Sequence, residues 1–160
     1  MNAMPNGFNS LTPSFTFKDS AQAIAFYQKA FNAEIHDFLP RPGGQGVMHA
    51  SLKIGNSMLM LGDEMPGNND CGKSAETIGA SPISLFLYVS NVDAAFAQAL
   101  AAGAIATMPV SDMFWGDRAG MLKDPFGYSW MIATHQEDLT PEQIKTRAAA
   151  FFAQAAQNNK

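Results

Sequence analysis

A chain of 160 residues is long enough for one domain with a real core, or for two small halves that share one. With 47% hydrophobic and 15% charged residues it is no disordered chain, and a net charge of -4 leaves no basic footprint for nucleic acid. The longest apolar runs, such as 84–89, are too short to span a bilayer. The opening MNAMPNGFNS lacks the parts of a signal peptide, and the single Cys71 excludes an internal disulfide and suits a reducing cytoplasm.

The first predicted element is a strand at 11–17, LTPSFTF, where polar and apolar residues alternate. Asp19 or Ser20 caps a helix over 21–31 whose apolar residues Ala23, Ile24, Phe26, Tyr27, Ala30 and Phe31 recur at helical spacing, and Asn32 closes it. Strands follow at 34–39 and 46–54, separated by a Pro/Gly turn. Met48, Ala50, Leu52 and Ile54 share one face of the second, with His49, Ser51 and Lys53 on the other. Gly55-Asn56 is a hairpin signal, and the chain returns as a strand at 58–61. Residues 62–81 are the one low-hydrophobicity stretch, readable as a lid over a site or as a linker between half-domains.

The plan then restarts. A strand at 83–89 leads to a helix over 92–102, capped by Ser90 or Asn91 and ended by Gly103. Strands follow near 105–109, at 119–123 and at 128–134, the last two joined by the turn Asp124-Pro125-Phe126-Gly127. FYQKAFNAEI at 26–35 falls over FAQALAAGAI at 96–105, and Met60-Leu61 over Met131-Ile132, so both halves read β-α-β-β-β. Neither half can bury its sheet alone, which predicts one α+β domain over residues 1–138, with modules at about 11–64 and 82–135. Residues 139–160 are a helical extension. Thr140 and Gln143 form a capping box, Pro141 takes the first helical position, and Ile144, Ala148, Phe151, Phe152 and Ala155 supply an apolar side to set against its own domain or a second copy.

Three segments carry a family resemblance. DSAQAIAFYQKAFNAE at 19–34 resembles the first helix of the vicinal oxygen chelate superfamily, which holds the glyoxalases, bleomycin-resistance proteins and dioxygenases. HASLKIGNSMLMLGDE at 49–64 resembles its PhnB-like branch, and FWGDRAGMLKDPFGYSWMIATHQED at 114–138 is the most specific match to that branch. The resemblance covers about residues 10–138 and implies an incomplete barrel of two modules around a cavity, commonly as a homodimer.

In glyoxalase-like members the resemblance also implies a divalent metal held by His, Gln or Glu from the first and last strand of each module. Carried over by the repeat, those positions fall near Thr12, Met60, Ser84 and Met131. Hydroxyls and thioethers are poor ligands for such an ion, so no metal site and no cofactor are expected. Side chains two apart share a strand face, which puts His49, Ser51, Met58, Phe86, Tyr88 and Ser129 around the same space. His49 reads as a general acid or base, as a donor that orients a ligand, or as a hydrogen-bonded histidine on a polar face. His36 reads as surface, and His135 as exposed or capping. Arg118 could fork onto a carboxylate or phosphate, or pair locally with Asp117, and Trp115 could wall the pocket.

No Gly-x-Ser-x-Gly elbow, P-loop or Rossmann fingerprint is present. The expected function is therefore binding of a small, partly apolar organic molecule, with no nucleic-acid or membrane partner. The alternatives are an enzyme (lyase, isomerase or dioxygenase-like) using His49 or a non-standard metal site, and a dimeric interaction module with a vestigial cavity.

Overall fold

In a computed structural model the chain folds as two four-stranded mixed sheets with helices on one side. It describes residues 3–65, 67 and 72–158, with Ala155 and Asn158 as backbone only. Cys71, part of the 62–81 stretch and the Ala155 side chain lie outside the described residues.

The first module runs β1 (Ser14–Phe17), α1 (Ser20–Phe31), β2 (Glu34–Pro40), β3 (Val47–Ile54) and β4 (Ser57–Asp63), with strand order β1-β4-β3-β2. After α2 (Ala75–Ile78) comes the second: β5 (Ser84–Tyr88), α3 (Val92–Ala102), β6 (Ile105–Asp112), β7 (Asp117–Lys123) and β8 (Ser129–His135), with order β5-β8-β7-β6. The tail is α4 (Pro141–Asn158). The duplicated plan predicted from the repeat is present, and among the described residues neither sheet closes into a barrel.

Local chemistry sets the boundaries. Asp19 caps α1 by accepting from Gln22 N at 3.1 Å, and Asn32 ends it in the left-handed region at φ 53°. Asn91 caps α3, Gly103 ends it, and the Thr140–Gln143 capping box opens α4. The crossing stretch holds a short helix that its composition did not reveal: α2, capped by the buried Ser74. β1 starts at Ser14, so Thr12 lies two residues ahead of it, its hydroxyl turned back onto Asn9 O.

One face of each sheet holds the core. Phe15, Phe17, Ala50, Leu52, Leu59 and Leu61 pack under α1, while Leu122, Trp130 and Ile132 serve the second module. The helices meet where Gln98 donates to Lys29 O and Asn32 Oδ1. Among the described residues neither α1 nor α3 packs on the other face of either sheet. There β2 is exposed along its whole length, and Phe86 and Tyr88 are 47% and 60% exposed. Among the described side chains of α4 only Ile144 and Ala148 are half-buried, although Phe151 and Phe152 touch Phe114. Among the described residues no helix is long and apolar enough to cross a membrane.

Candidate functional site

The helix-free faces bring together most of the residues that alternation singled out. On the second sheet the register sets Phe86, Met131, Met121 and Met108 side by side across β5, β8, β7 and β6. The next row is small, with Ala133 beside Ala119, and it is buried with Met113 under the flanks of Trp115, Met108 and Met131. The result is a shallow apolar cup floored by alanine and walled by methionine and aromatic rings. Ser84 and Ser129 pair at its lower end.

The upper end of the cup is polar and turns on one carboxylate. Asp117 is 3% exposed. Its Oδ2 accepts from Tyr88 Oη at 3.0 Å and from Trp115 Nε1 at 2.9 Å, and its Oδ1 sits 2.7 Å from His135 Nδ1. With the carboxylate oxygen as acceptor, His135 donates from Nδ1, and its Nε2 faces Asp138 Oδ1, 3.1 Å away. Burial, then the bond to Asp117, raises the Tyr88 pKa and keeps the phenol protonated. His135 is raised above the ordinary 6.5, first by Asp117 and then by Asp138. Because the folded pKa is the higher one, the stabilisation from His135 is fully present below pH 6.5 and fades as pH rises through the folded value. An NMR titration should place His135 above 6.5, and His135→Gln should flatten the stability profile in that window. A His135 that titrates at or below 6.5 would contradict the pairing.

The first sheet offers the equivalent row with different chemistry: Ser14, Met60, Ser51 and Asp37 across β1, β4, β3 and β2. His49 stands beside it, Nε2 3.1 Å from Ser51 Oγ and 3.4 Å from Asp37 Oδ1. A hollow of about 180 Å³ opens here, lined by His49, Thr16, Arg41 and Met48 among others. Composition gave no sign of Arg41, whose Nη2 donates to Asp63 O and Glu64 O and holds the exit of β4. Asp63 itself accepts from Ser20 N and Val47 N at 2.7 Å. Hydrogen bonds from Ser74 and Thr77 hold Glu64 down to about 2, tying the crossing stretch to the rim of this face.

Met58 and Phe86 line a separate hollow with Leu11, Pro13 and Ile54, between β5 and the β3–β4 hairpin; Thr12, Met60, Ser84 and Met131 are not part of it. Met60 and Met131 both occupy the helix-free faces, each on its own sheet. Arg118 points the other way, onto the helix face, and forks onto Asp93 at 2.9 and 2.8 Å with Asp112 at 3.1 Å. It pairs with these two and not with its neighbour Asp117, because adjacent strand residues face opposite sides. The reach of Asp117 to β5, the Trp115 turn and the end of β8 is the feature the sequence reading missed.

The four positions that the family fold implies for a divalent ion do not fit one. Thr12, Met60, Ser84 and Met131 supply no anionic oxygen and no imidazole, and nothing there would repay the loss of the ion's water shell. Among the described residues no three His, Cys, Asp or Glu side chains are grouped to hold a metal.

Comparison with known proteins agrees with this architecture. The family profile described as Glyoxalase/Bleomycin resistance protein/Dioxygenase superfamily matches residues 9–132. An uncharacterized protein of Mycobacterium tuberculosis, Rv0887c, is 37% identical over 85% of this chain and 80% of its own length. Among solved structures, protein PA1353 from Pseudomonas aeruginosa superposes with a TM-score of 0.64 at 26% identity, over 81% of this chain and 99% of that one. A PhnB protein from Bacillus cereus gives 0.60 at 21% identity, over 79% and 99%.

Proposed function

The chain belongs to the glyoxalase/bleomycin resistance/dioxygenase superfamily, and from that premise we propose that it binds a small, partly apolar organic molecule without a divalent metal, as a cytoplasmic homodimer. The observation that carries this reading is the contrast between two equivalent rows. Phe86, Met131, Met121 and Met108 on one sheet are apolar, while Ser14, Met60, Ser51 and Asp37 on the other are largely polar and stand beside His49. A ligand held between two such walls has an apolar body, matched by methionine and aromatic rings, and a polar edge. Each face opens to solvent in a single chain, and a second copy supplies the opposing wall.

The test is a thermal-shift screen of planar, hydrophobic compounds with and without chelator, alongside the mass in solution. A true ligand at a hundred times its Kd stabilises by about 2.7 kcal/mol. Chelator should leave that shift intact, and Met131→Glu, which sets a charge into the apolar row, should abolish it. Stabilisation that disappears with chelator, or a strictly monomeric protein that binds nothing, would defeat the proposal.

A second reading is favoured by the placement of His49 between Asp37 and Ser51 at the polar row, where its ring could move a proton for a bound carbonyl or diol. Turnover that falls at least about a hundredfold in His49→Ala would select it. Ligand binding that survives His49→Ala with no turnover in either protein would reject it.

A further inference from the structure

The duplication allows the two sides of the module junction to be compared residue by residue, and they are not alike. Ser14 pairs with Met60 as Phe86 pairs with Met131, which makes Phe15 equivalent to Leu87 and Thr16 to Tyr88. The same register makes Tyr128 equivalent to Ser57, Trp130 to Leu59 and Phe126 to Gly55. Ile54 pairs with Ser57 at the place where Asp124 N donates to Tyr128 O, so Ile54 stands in for the buried Asp124.

On the β1 side the junction is filled with rings. Tyr128 stacks on Phe15 at 4.2 Å, Phe126 meets Phe17 at 5.3 Å and Trp130 meets Phe31 at 4.7 Å. Among the described residues β1 has no strand neighbour on its outer edge, and there Tyr128 Oη donates to Thr16 O at 2.8 Å. On the β5 side Phe15, Tyr128, Trp130 and Phe126 give way to the smaller Leu87, Ser57, Leu59 and Gly55. Two hollows open there, of about 580 and 240 Å³, and they meet at Ile54 and Leu87, which line both.

Among the described residues β5 also has no strand neighbour on its outer edge. Val89 N donates to Ala133 O, and the parallel ladder repeats every second residue, so Tyr88 turns its carbonyl to the unpaired side, as Thr16 does. At the mouth of the larger hollow Glu34 and Lys53 are cross-strand neighbours of opposite charge, so the lining favours neither anion nor cation.

We propose that the β5 side of the module junction is a second binding site, which meets the helix-free faces at Phe86 and Met58 but lies away from Met60 and Met131, and that it takes a neutral phenol. The ring takes the place of the missing Tyr128 counterpart against Leu87 and Ile54. Its hydroxyl donates to Tyr88 O as Tyr128 does to Thr16 O. The ligand class follows from what the equivalent junction holds covalently: an aromatic ring, one hydroxyl donor and no net charge.

The probe is p-cresol, the tyrosine side chain as a free molecule, titrated into the isotope-labelled full chain and followed by NMR. Amide shifts are expected at Ser57, Leu87, Ala94 and Ala95, with a Kd of about a millimolar for so few heavy atoms. Toluene, which lacks the donor, should bind several-fold more weakly. Ser57→Tyr restores the ring within the chain and should weaken p-cresol at least about tenfold. Should that variant not fold, Ala94→Trp, at an exposed α3 position lining the larger hollow, should block it as well. Shifts centred on Met60 and Met131, no shift at the junction up to the solubility limit, or unchanged binding in the blocking variant would each overturn the proposal.

Discussion

Replacing Asp124 with alanine should remove about 4 kcal/mol, a large part of the roughly 5–15 kcal/mol that holds a domain of this size together. Asp124 is 4% exposed and accepts four hydrogen bonds. Tyr27 Oη donates at 2.6 Å and Trp130 Nε1 at 3.0 Å, while Phe126 N and Tyr128 N donate at 3.0 and 2.9 Å. Tyr27 is fully buried and Trp130 is 2% exposed, so neither can turn to water once the carboxylate is gone. Each donor stranded in this way costs about 1–3 kcal/mol. Tyr27→Phe removes one donor and leaves the acceptor served by the other three, and it should cost only about 1 kcal/mol.

The pH behaviour of the same group runs opposite to the common carboxylate case. Burial raises Asp124 above the ordinary 3.8, against the hydrogen bonds from Tyr27 and Trp130 that lower it. A folded pKa above the unfolded one means that the folded state holds the proton more tightly. Stability therefore falls as pH rises from 3.8 through the raised value, and that slope should be absent in Asp124→Ala. Urea denaturation of the three proteins across that range measures both effects. A loss under about 1 kcal/mol in Asp124→Ala would show that Tyr27 and Trp130 find other partners, and that the β1 side of the junction does not depend on the carboxylate.

The fold was legible because its signals are local. Asp19, Asn91 and Thr140 each cap a helix within three residues of themselves, and alternation in 47–54 and 129–135 depends only on the pleat. The repeat added what local signals lack, the equivalence of Met60 and Met131. Half of the candidate site followed from this, since knowing which residues share a face with Met131 requires only counting by twos. The polar end did not follow. Asp117 meets Tyr88 and His135, 29 and 18 positions away, and nothing in the sequence near 117 indicates three donors. Its neighbour Arg118 suggested a local pair because the two are adjacent in the chain, whereas adjacency in a strand puts them on opposite faces. The placement of Thr12 shows the reverse limit. Alternation continues back to Leu11, but the described strand stops at Ser14, where pairing with Met60 begins.

Gly116→Ala should cost about 3 kcal/mol and, in addition, release His135 from Asp117. Gly116 sits at φ 98°, a left-handed conformation that strains any other residue by about 1 kcal/mol or more. An added Cβ would fall on the carbonyl oxygen of Glu137, with Glu137 Cγ at 3.3 Å and Leu139 Cδ1 at 3.4 Å. The carbonyl is backbone and cannot step aside as a side-chain tip would, so the two segments must separate, at the roughly 1–3 kcal/mol typical of overpacking. Those segments are the ones that build the polar end of the cup. The turn closed by Gly116 N to Met113 O carries Trp115 and Asp117, and Gln136 N and Glu137 N both donate to Gly116 O, which sets the chain immediately after His135. Separation should therefore lower the midpoint in denaturant and at the same time return the His135 titration toward 6.5, because the carboxylate that raises it has moved. A substitution that only destabilised the domain would lower the midpoint and leave the folded-state titration of His135 where it was. That result would show that the Gly116 contact supports the fold without positioning the Asp117–His135 pair.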